Sequence, residues 1–286
     1  MQARRLKERI ILYLLAFCAL AALVTLLLIA LFTLKEGLPA FREIGLGKLL
    51  LGKVWRPQRG QFGLVPMIFG SVYVTIGALL LGVPPALGCA VFLAEVAPAG
   101  VRAAIRPAVE LLAGIPSVVY GLFGLGLFVL FFRFGTSILA GSLTLGLLTL
   151  PVVISTAEEA ILSVPQSFRV VSISLGATKW QTIRHQVLPH ALPGIITGII
   201  LGLERAAGET APILFTVAAF YLPRLPRSIF DQTMALPYHL YVISTQVPGM
   251  PIEIQYGTAL VLLAFVLSMN SAATIIRSHF RRRRQW

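Results

Sequence analysis

The chain has 286 residues, of which 57% are hydrophobic and 12% charged, against about 25% charged in a typical soluble domain. Its apolar residues fall in long uninterrupted runs, which excludes an ordinary water-soluble fold and predicts an integral membrane protein. The formal charge of +13, from 24 Lys and Arg against 11 Asp and Glu, gathers at the ends of apolar segments, where the positive-inside bias explains it without a nucleic-acid partner.

Six membrane spans are predicted, in an all-α chain. The first runs from Ile10 to Leu34 behind Arg4, Arg5, Lys7 and Arg9. Its length exceeds the roughly 7–15 residues of a signal-peptide core, so it reads as an uncleaved span. A basic loop from Lys35 to Gln61 follows. The second span, Leu64 to Glu95, contains Pro84-Pro85 and is expected to kink or break there. The third, Ile105 to Phe132, holds Gly114-Ile115-Pro116-Ser117, and the fourth runs from Ser137 to Thr156. After a polar insert comes the fifth, Leu192 to Phe220, then an irregular segment from Tyr221 to Gln255, and the sixth from Tyr256 to Ile276. Cys18 and Cys89 lie in apolar runs without metal-ligand spacing and read as buried free thiols.

An even number of spans puts both termini on one side. Arg4, Arg5, Lys7, Arg9, Arg102, Arg106, Arg169, Lys179, Arg184, Arg277 and Arg281 to Arg284 would share that side. Lys35, Arg42, Lys48, Lys53, Arg56, Arg59, Arg133, Arg224 and Arg227 would lie on the other. The larger first set predicts cytoplasmic termini. The first outer loop is nevertheless more basic than the rule expects. The terminal arginine run reads as a stop-transfer anchor at an anionic leaflet.

Gly47-Lys48-Leu49-Leu50-Leu51-Gly52-Lys53-Val54 imitates a phosphate-binding loop, but Val54 stands where a magnesium-holding hydroxyl is required. No nucleotide site is therefore expected in this chain, and energy from a nucleotide must come from elsewhere. No HExxH, zinc-spaced cysteine pair or Gly-x-Ser-x-Gly occurs, so neither a metal, a cofactor nor a catalytic residue is expected. His185, His190, His239 and His279 read as interfacial polar residues.

The insert, Pro165 to Pro189, reads as helix, turn, helix. Ser163 or Ser167 would cap the first piece, Gly176 would supply the turn, and Thr178 would cap a helix starting at Lys179. Phe168, Val171, Ile173 and Leu175 are expected on one face, with Arg169, Ser172 and Ser174 more exposed. Such an amphipathic unit either lies in the bilayer interface or fits a groove on a partner.

Resemblance separates the two. Pro165-x-x-Phe168, Leu175-Gly176-Ala177, Lys179-Trp180 and Leu188-Pro189 resemble the cytoplasmic coupling loop of bacterial ABC-importer permeases. Pro116-Ser117-Val118-Val119-x-Gly121, Pro151-Val152-Val153-Ile154, Thr156-x-Glu158 and Arg205-x-x-Gly208-Glu209-Thr210-Ala211-Pro212-x-Leu214-x-Thr216 resemble the phosphate-transport permeases, in the PstA rather than the PstC form. The resemblance implies a type I, MetI-like permease architecture, with an N-terminal span and outer loop over 1–63 and the permease domain over 64–286. Its coupling helices would lie at about 158–189, and Arg169, Leu175, Gly176, Ala177, Lys179 and Trp180 would meet the ATPase. The implied partners are a PstC-type permease, PstB-type ATPase subunits and a PstS-type phosphate-binding protein, in the inner membrane. Two departures stand out: Val170-Val171-Ser172 replaces the family's usual Glu-Ala-Ala, and Ser155 stands where relatives often carry Arg.

Within the fifth span, Glu204, Arg205, Glu209 and Thr210 form a charged turn. Arg205 and Glu209 are four apart and would share a helix face, and a charge at the centre of a membrane helix costs about 2.5–3.5 kcal/mol on insertion scales. Either the pair only neutralises itself, or Arg205 offers its planar fork to an oxyanion. Since Glu204, Arg205 and Glu209 sum to minus one, this chain alone is no anion trap. A second permease would add cations, or Glu209 would restrain Arg205 so that bound anion can leave. Gly198, Gly202 and Gly208 would allow close packing against a partner subunit. The chain is expected to catalyse no reaction. Another oxyanion as cargo, a secondary transporter with Glu204 or Glu209 as proton carrier, and a scaffold without a pathway are the competing readings.

Overall fold

The computed structural model describes residues 2–222 and 225–282. Arg224, Arg283 and Arg284, counted in the charge comparison, lie outside the described residues. The chain is helical throughout, with one small hairpin.

Helix α1, Gln2–Ala40, continues through a wide turn at Phe41–Gly45 into α2, Leu46–Leu51. The predicted loop therefore begins some way beyond Lys35, because α1 gains a partner there. Gly37 lies so close to the last helix that a Cβ would sit 2.8 Å from the Tyr256 carbonyl oxygen. Small residues let helix backbones approach in this way. Most of α1 turns its side chains outward, Cys18 among them, so this thiol is exposed to the surroundings rather than buried.

Strands β1, Trp55–Arg56, and β2, Gln61–Phe62, pair antiparallel across a turn at Pro57–Arg59 closed by Gly60 at φ 66°. Gly52 and Gly63 cross backbone to backbone, where a Cβ on Gly52 would lie 2.7 Å from the Gly63 Cα. The glycine of the false phosphate loop is thus a packing residue.

Helix α3, Val65–Val91, runs through Pro84 and Pro85 without a break and extends as a wider turn to Val96. The expected break occurs in the third span instead. Helices α4, Ala99–Ala113, and α5, Ser117–Gly124, meet at 98° across Gly114-Ile115-Pro116. Helix α6, Ile138–Leu162, packs along α3, with Gly82 against Gly146 and Gly77 against Ser142. Then follow α7, Gln166–Ser174, α8, Lys179–Thr182, α9, Leu188–Gly208, and α10, Ala211–Thr216. A short α11, Leu236–Thr245, and the final α12, Ile252–Arg282, complete the chain. Five helices are long and apolar enough to cross a membrane, and the bent α4–α5 pair makes six.

The irregular segment after the fifth span is anchored on α3. Gly70 admits the Met234 carbonyl where a Cβ would stand 1.7 Å from it, and Ser71 Oγ accepts from the Leu236 amide at 2.9 Å. On α11, His239 is not interfacial but 1% exposed, set edge-on to Trp55 at 4.2 Å and stacked on Phe220 at 5.6 Å. Neither ring nitrogen has a hydrogen-bond partner among the described residues.

Burial lowers the His239 pKa from 6.5 to about 3, because an imidazolium in an aromatic cage loses its hydration. Between those values the unfolded chain binds the extra proton and the folded chain does not. The stability that His239 permits is full above the unfolded pKa and falls with decreasing pH, by up to about 1.4 kcal/mol per pH unit. Replacing it, as His239→Phe, should flatten the decline of thermal stability in detergent between about pH 7 and 5. An equal decline in both proteins would contradict the assignment.

Candidate functional site

The charged turn forms where α9 stops. Gly208 has low helix propensity, and Pro212 has no N–H to give the Gly208 carbonyl, so the helix cannot continue. Glu209 is already extended, at φ −74° and ψ 136°, and Thr210 opens α10 without a side-chain cap. Arg205 and Glu209 therefore do not share one helix face. They meet across the break, Nε to Oε1 at 3.8 Å, with side chains 27% and 18% exposed. This long contact leaves the guanidinium without a hydrogen bond among the described residues. Glu204 is half-buried on the same turn and likewise forms no ion pair among the described residues.

Against the start of α10 packs α5, the helix that follows the bend in the third span. A Cβ on Gly121 of α5 would stand 3.0 Å from the Pro212 Cα and 3.1 Å from the Ala211 carbonyl oxygen, so α5 and α10 touch backbone to backbone. Tyr120 belongs to this contact. Its hydroxyl donates at 2.9 Å to the Leu112 carbonyl, which also accepts from the Ile115 amide at 3.2 Å within the bend, and it lies within electrostatic reach of Arg205. Tyr120 occupies the unspecified position of the Pro-Ser-Val-Val-x-Gly motif. Its preference for an apolar body with a polar tip was the available signal.

Gly198 and Gly202 have a different role from the one expected. Their Cβ positions would lie 3.0 Å from Thr156 Cβ and 3.0 Å from Val153 Cγ2, so they seat α9 on α6 of the same chain. Only Gly208 of the three faces open space.

At the other end of α9 stands the polar insert. Pro165 precedes α7 with no side-chain cap, and Ser163 Oγ instead donates to the Ala160 carbonyl at 2.8 Å. Gly176 has φ 84°, the left-handed conformation a helix terminus needs. Thr178 and Gln181 form a reciprocal capping box at 3.2 and 2.8 Å. The α8 turn runs without interruption through Ile183–Val187 into α9, so one helix of 30 residues joins Lys179 to Gly208. At 1.5 Å per residue it spans about 45 Å.

Arg169 reverses the expected polarity of α7. Its Nε and Nη2 contact Glu95 Oε1 at 3.0 and 2.6 Å, and Nη1 and Nη2 donate to the Val164 and Ile161 carbonyls at 2.6 and 2.9 Å. The guanidinium thus turns into the bundle and caps the end of α6. Val170, Val171, Ile173 and Leu175 face outward, Leu175 at 84% and the following Trp180 at 60% exposure. Ser172 Oγ and Thr182 Oγ1, 2.9 Å apart, tie α7 to α8. Beside them opens a cavity of about 590 Å³ lined by Phe168, Val171, Leu175, Ala177, Gln181 and His185. Lys179 lies on the opposite wall of this loop, near the Glu95–Arg169 pair.

The molecule is thus a membrane bundle with broken spans, a charged turn at one of the breaks and an exposed apolar unit at the other end of α9. Its fold matches solved ABC importers. The MetNI methionine transporter aligns at TM-score 0.64 and 17% identity, over 79% of this chain and 99% of that one. A bacterial alginate ABC transporter aligns at TM-score 0.64 and 19% identity, over 92% and 95%. Residues 86–286 match the family described as binding-protein-dependent transport system inner membrane component, and the chain belongs to that family. Among curated relatives, a protein named as a probable ABC transporter permease, YqgH of Bacillus subtilis, is 37% identical over 75% of this chain and 72% of its own length. Phosphate transport system permease protein PstA 1 of Mycobacterium tuberculosis is 36% identical over 80% and 74%. PstC of Haemophilus influenzae is 32% identical over 66% and 68%. The protein is a multi-span, non-catalytic permease subunit of an ABC-type importer. Importers of this architecture combine a permease pair, an ATPase and a binding protein.

Proposed function

We propose that this chain is a PstA-type permease for inorganic phosphate and forms half of the pathway with a PstC-type partner. Residues 1–63 serve as an N-terminal transmembrane helix and outer loop, and 64–286 as the permease domain, with both termini cytoplasmic. Relatives named for phosphate transport and the Gly208-Glu209-Thr210-Ala211-Pro212 run support the cargo. The observation that carries the reading is the Arg205 guanidinium, charged, partly exposed and without a hydrogen bond among the described residues, at the break that ends α9. A tetrahedral oxyanion can take that fork in two hydrogen bonds. Glu209, held near Arg205, competes for it and keeps the site weak enough to release. Glu204 and Thr210 border the same passage.

Leu175, Gly176, Ala177, Lys179 and Trp180 meet a PstB-type ATPase on this reading, and Arg169 positions that surface from behind. Val170 and Val171 make the contact apolar where relatives use an acid. Closure of the ATPase displaces the loop, and the continuous helix from Lys179 to Gly208 carries the displacement to Arg205. A PstS-type protein delivers phosphate at the opposite face.

Uptake of labelled phosphate in cells carrying the companion subunits tests this. It should resist excess sulfate and molybdate, and Leu175→Asp should lower it at least about tenfold by placing a charge in an apolar contact. Preferential uptake of another oxyanion would overturn the cargo, and full uptake by Leu175→Asp would overturn the coupling role.

A further inference from the structure

The first outer segment carries more positive charge than a translocated loop should, and the structure gathers part of that excess in one place. Arg56 of β1 and Arg59 of the hairpin turn line a cavity of about 560 Å³, together with Trp55, Phe220 and Tyr221. Neither arginine forms an ion pair among the described residues, whereas Lys35 in the same segment pairs with Glu36 at 3.3 Å. The Arg56 Nε donates to the Tyr221 hydroxyl at 3.4 Å, which leaves both Nη groups and the phenolic hydrogen available. Trp55 is 2% exposed, and its indole N–H has no acceptor among the described residues. Behind Trp55 lies the neutral, caged His239.

Pro57, Phe220 and Val247 complete the lining, so its charged and polar side chains, Arg56, Arg59 and Tyr221, are all donors set against an apolar wall. Such a set repels cations and matches an anion. Two guanidinium groups and a hydroxyl suit a tetrahedral oxyanion, which presents acceptors in several directions. The hairpin register and the left-handed Gly60 hold Arg56 and Arg59 on a rigid support.

We propose that this cavity is a second, low-affinity site for a tetrahedral oxyanion, at the end of the bundle opposite the coupling loop and separate from Arg205. Its place on the entry side rests on the transport reading above, but its anion chemistry does not. There it receives the anion before the pathway opens.

Line broadening of inorganic phosphate in phosphorus NMR tests the site, using the assembled complex in a phosphorus-free detergent. The Arg205→Gln complex should still broaden the signal, and adding Arg56→Gln with Arg59→Gln should reduce that effect at least about threefold. Broadening that is absent in Arg205→Gln, or unchanged by the two hairpin substitutions, would overturn the proposal. If added phosphatidylglycerol competes the signal away, the site's oxyanion is a lipid headgroup phosphate; if not, it is the free ion. If the hairpin substitutions weaken only association with the binding protein and leave phosphate broadening intact, the cavity is a protein contact and the proposal falls. Absence of phosphate uptake by the unmodified complex would count against the transport reading alone, because the NMR measurement does not depend on transport.

Discussion

Replacing Arg205 with glutamine should reduce oxyanion uptake by at least about a hundredfold while leaving assembly with the companion subunits intact. The guanidinium lies at the end of α9 with a carboxylate 3.8 Å away and no hydrogen bond among the described residues. Glutamine keeps an amide donor but loses the charge and the fork. Hydrogen bonds to charged groups contribute about 1.5–3 kcal/mol each, so losing two removes at least about 3 kcal/mol of anion stabilisation. Lysine should restore only part of the activity, since its ammonium cannot bind two oxygens in a plane. Glu209→Gln should act oppositely on binding: the anion binds more tightly because its competitor is gone, and turnover slows because release is slower. Labelled uptake at several concentrations separates the cases. Unchanged uptake by Arg205→Gln would remove this residue from the pathway.

Replacing Arg169 with methionine should cost about 3–5 kcal/mol of stability, the range for breaking one partner of a buried ion pair. Arg169 and Glu95 are 11% and 9% exposed, and methionine would strand the carboxylate as well as the Ile161 and Val164 carbonyls. Lysine should recover little, because a point charge cannot serve Glu95 and two carbonyls at once. The double replacement Arg169→Met with Glu95→Leu should recover much of the loss, since both charges then leave the interior together. Thermal unfolding in detergent reads these differences. A loss below about 1 kcal/mol for Arg169→Met would mean that the pair is solvated as a surface bridge is. If the bridge positions α7, the same variant should also lose the ATPase on purification under conditions where it remains folded.

These two residues mark how far a linear reading reaches. Arg205 could be singled out because a charge inside an apolar run is visible without a fold. Arg169 stood in an amphipathic pattern whose charged members were expected to face outward. Its partner is 74 residues away, and no window over the insert contains that acid. Gly198 and Gly202 were recognised as places of close approach, but the pattern could not say whether the approaching helix belongs to this chain. His239 looked like one polar residue in an irregular segment, and its cage is built from Trp55 and Phe220, the first far upstream. The significance of Tyr120 depends on the Leu112 carbonyl at the bend and on α10 lying against α5, and no local pattern contains either.

What the sequence determined by itself is the set of features decided within a few residues or by composition: the apolar spans, the turn at Gly176 and the cap at Thr178. Each follows from local sterics, local hydrogen bonding or the cost of exposing apolar length, none of which needs a distant partner. The tertiary structure alone decided the inward turn of Arg169, the 98° bend of the third span, the break of the fifth at Gly208, the packing of α5 on α10, and the arginine-bearing cavity at the hairpin. Those depend on which backbones come close enough to satisfy one another's polar groups away from water, and that choice is made only when the helices pack.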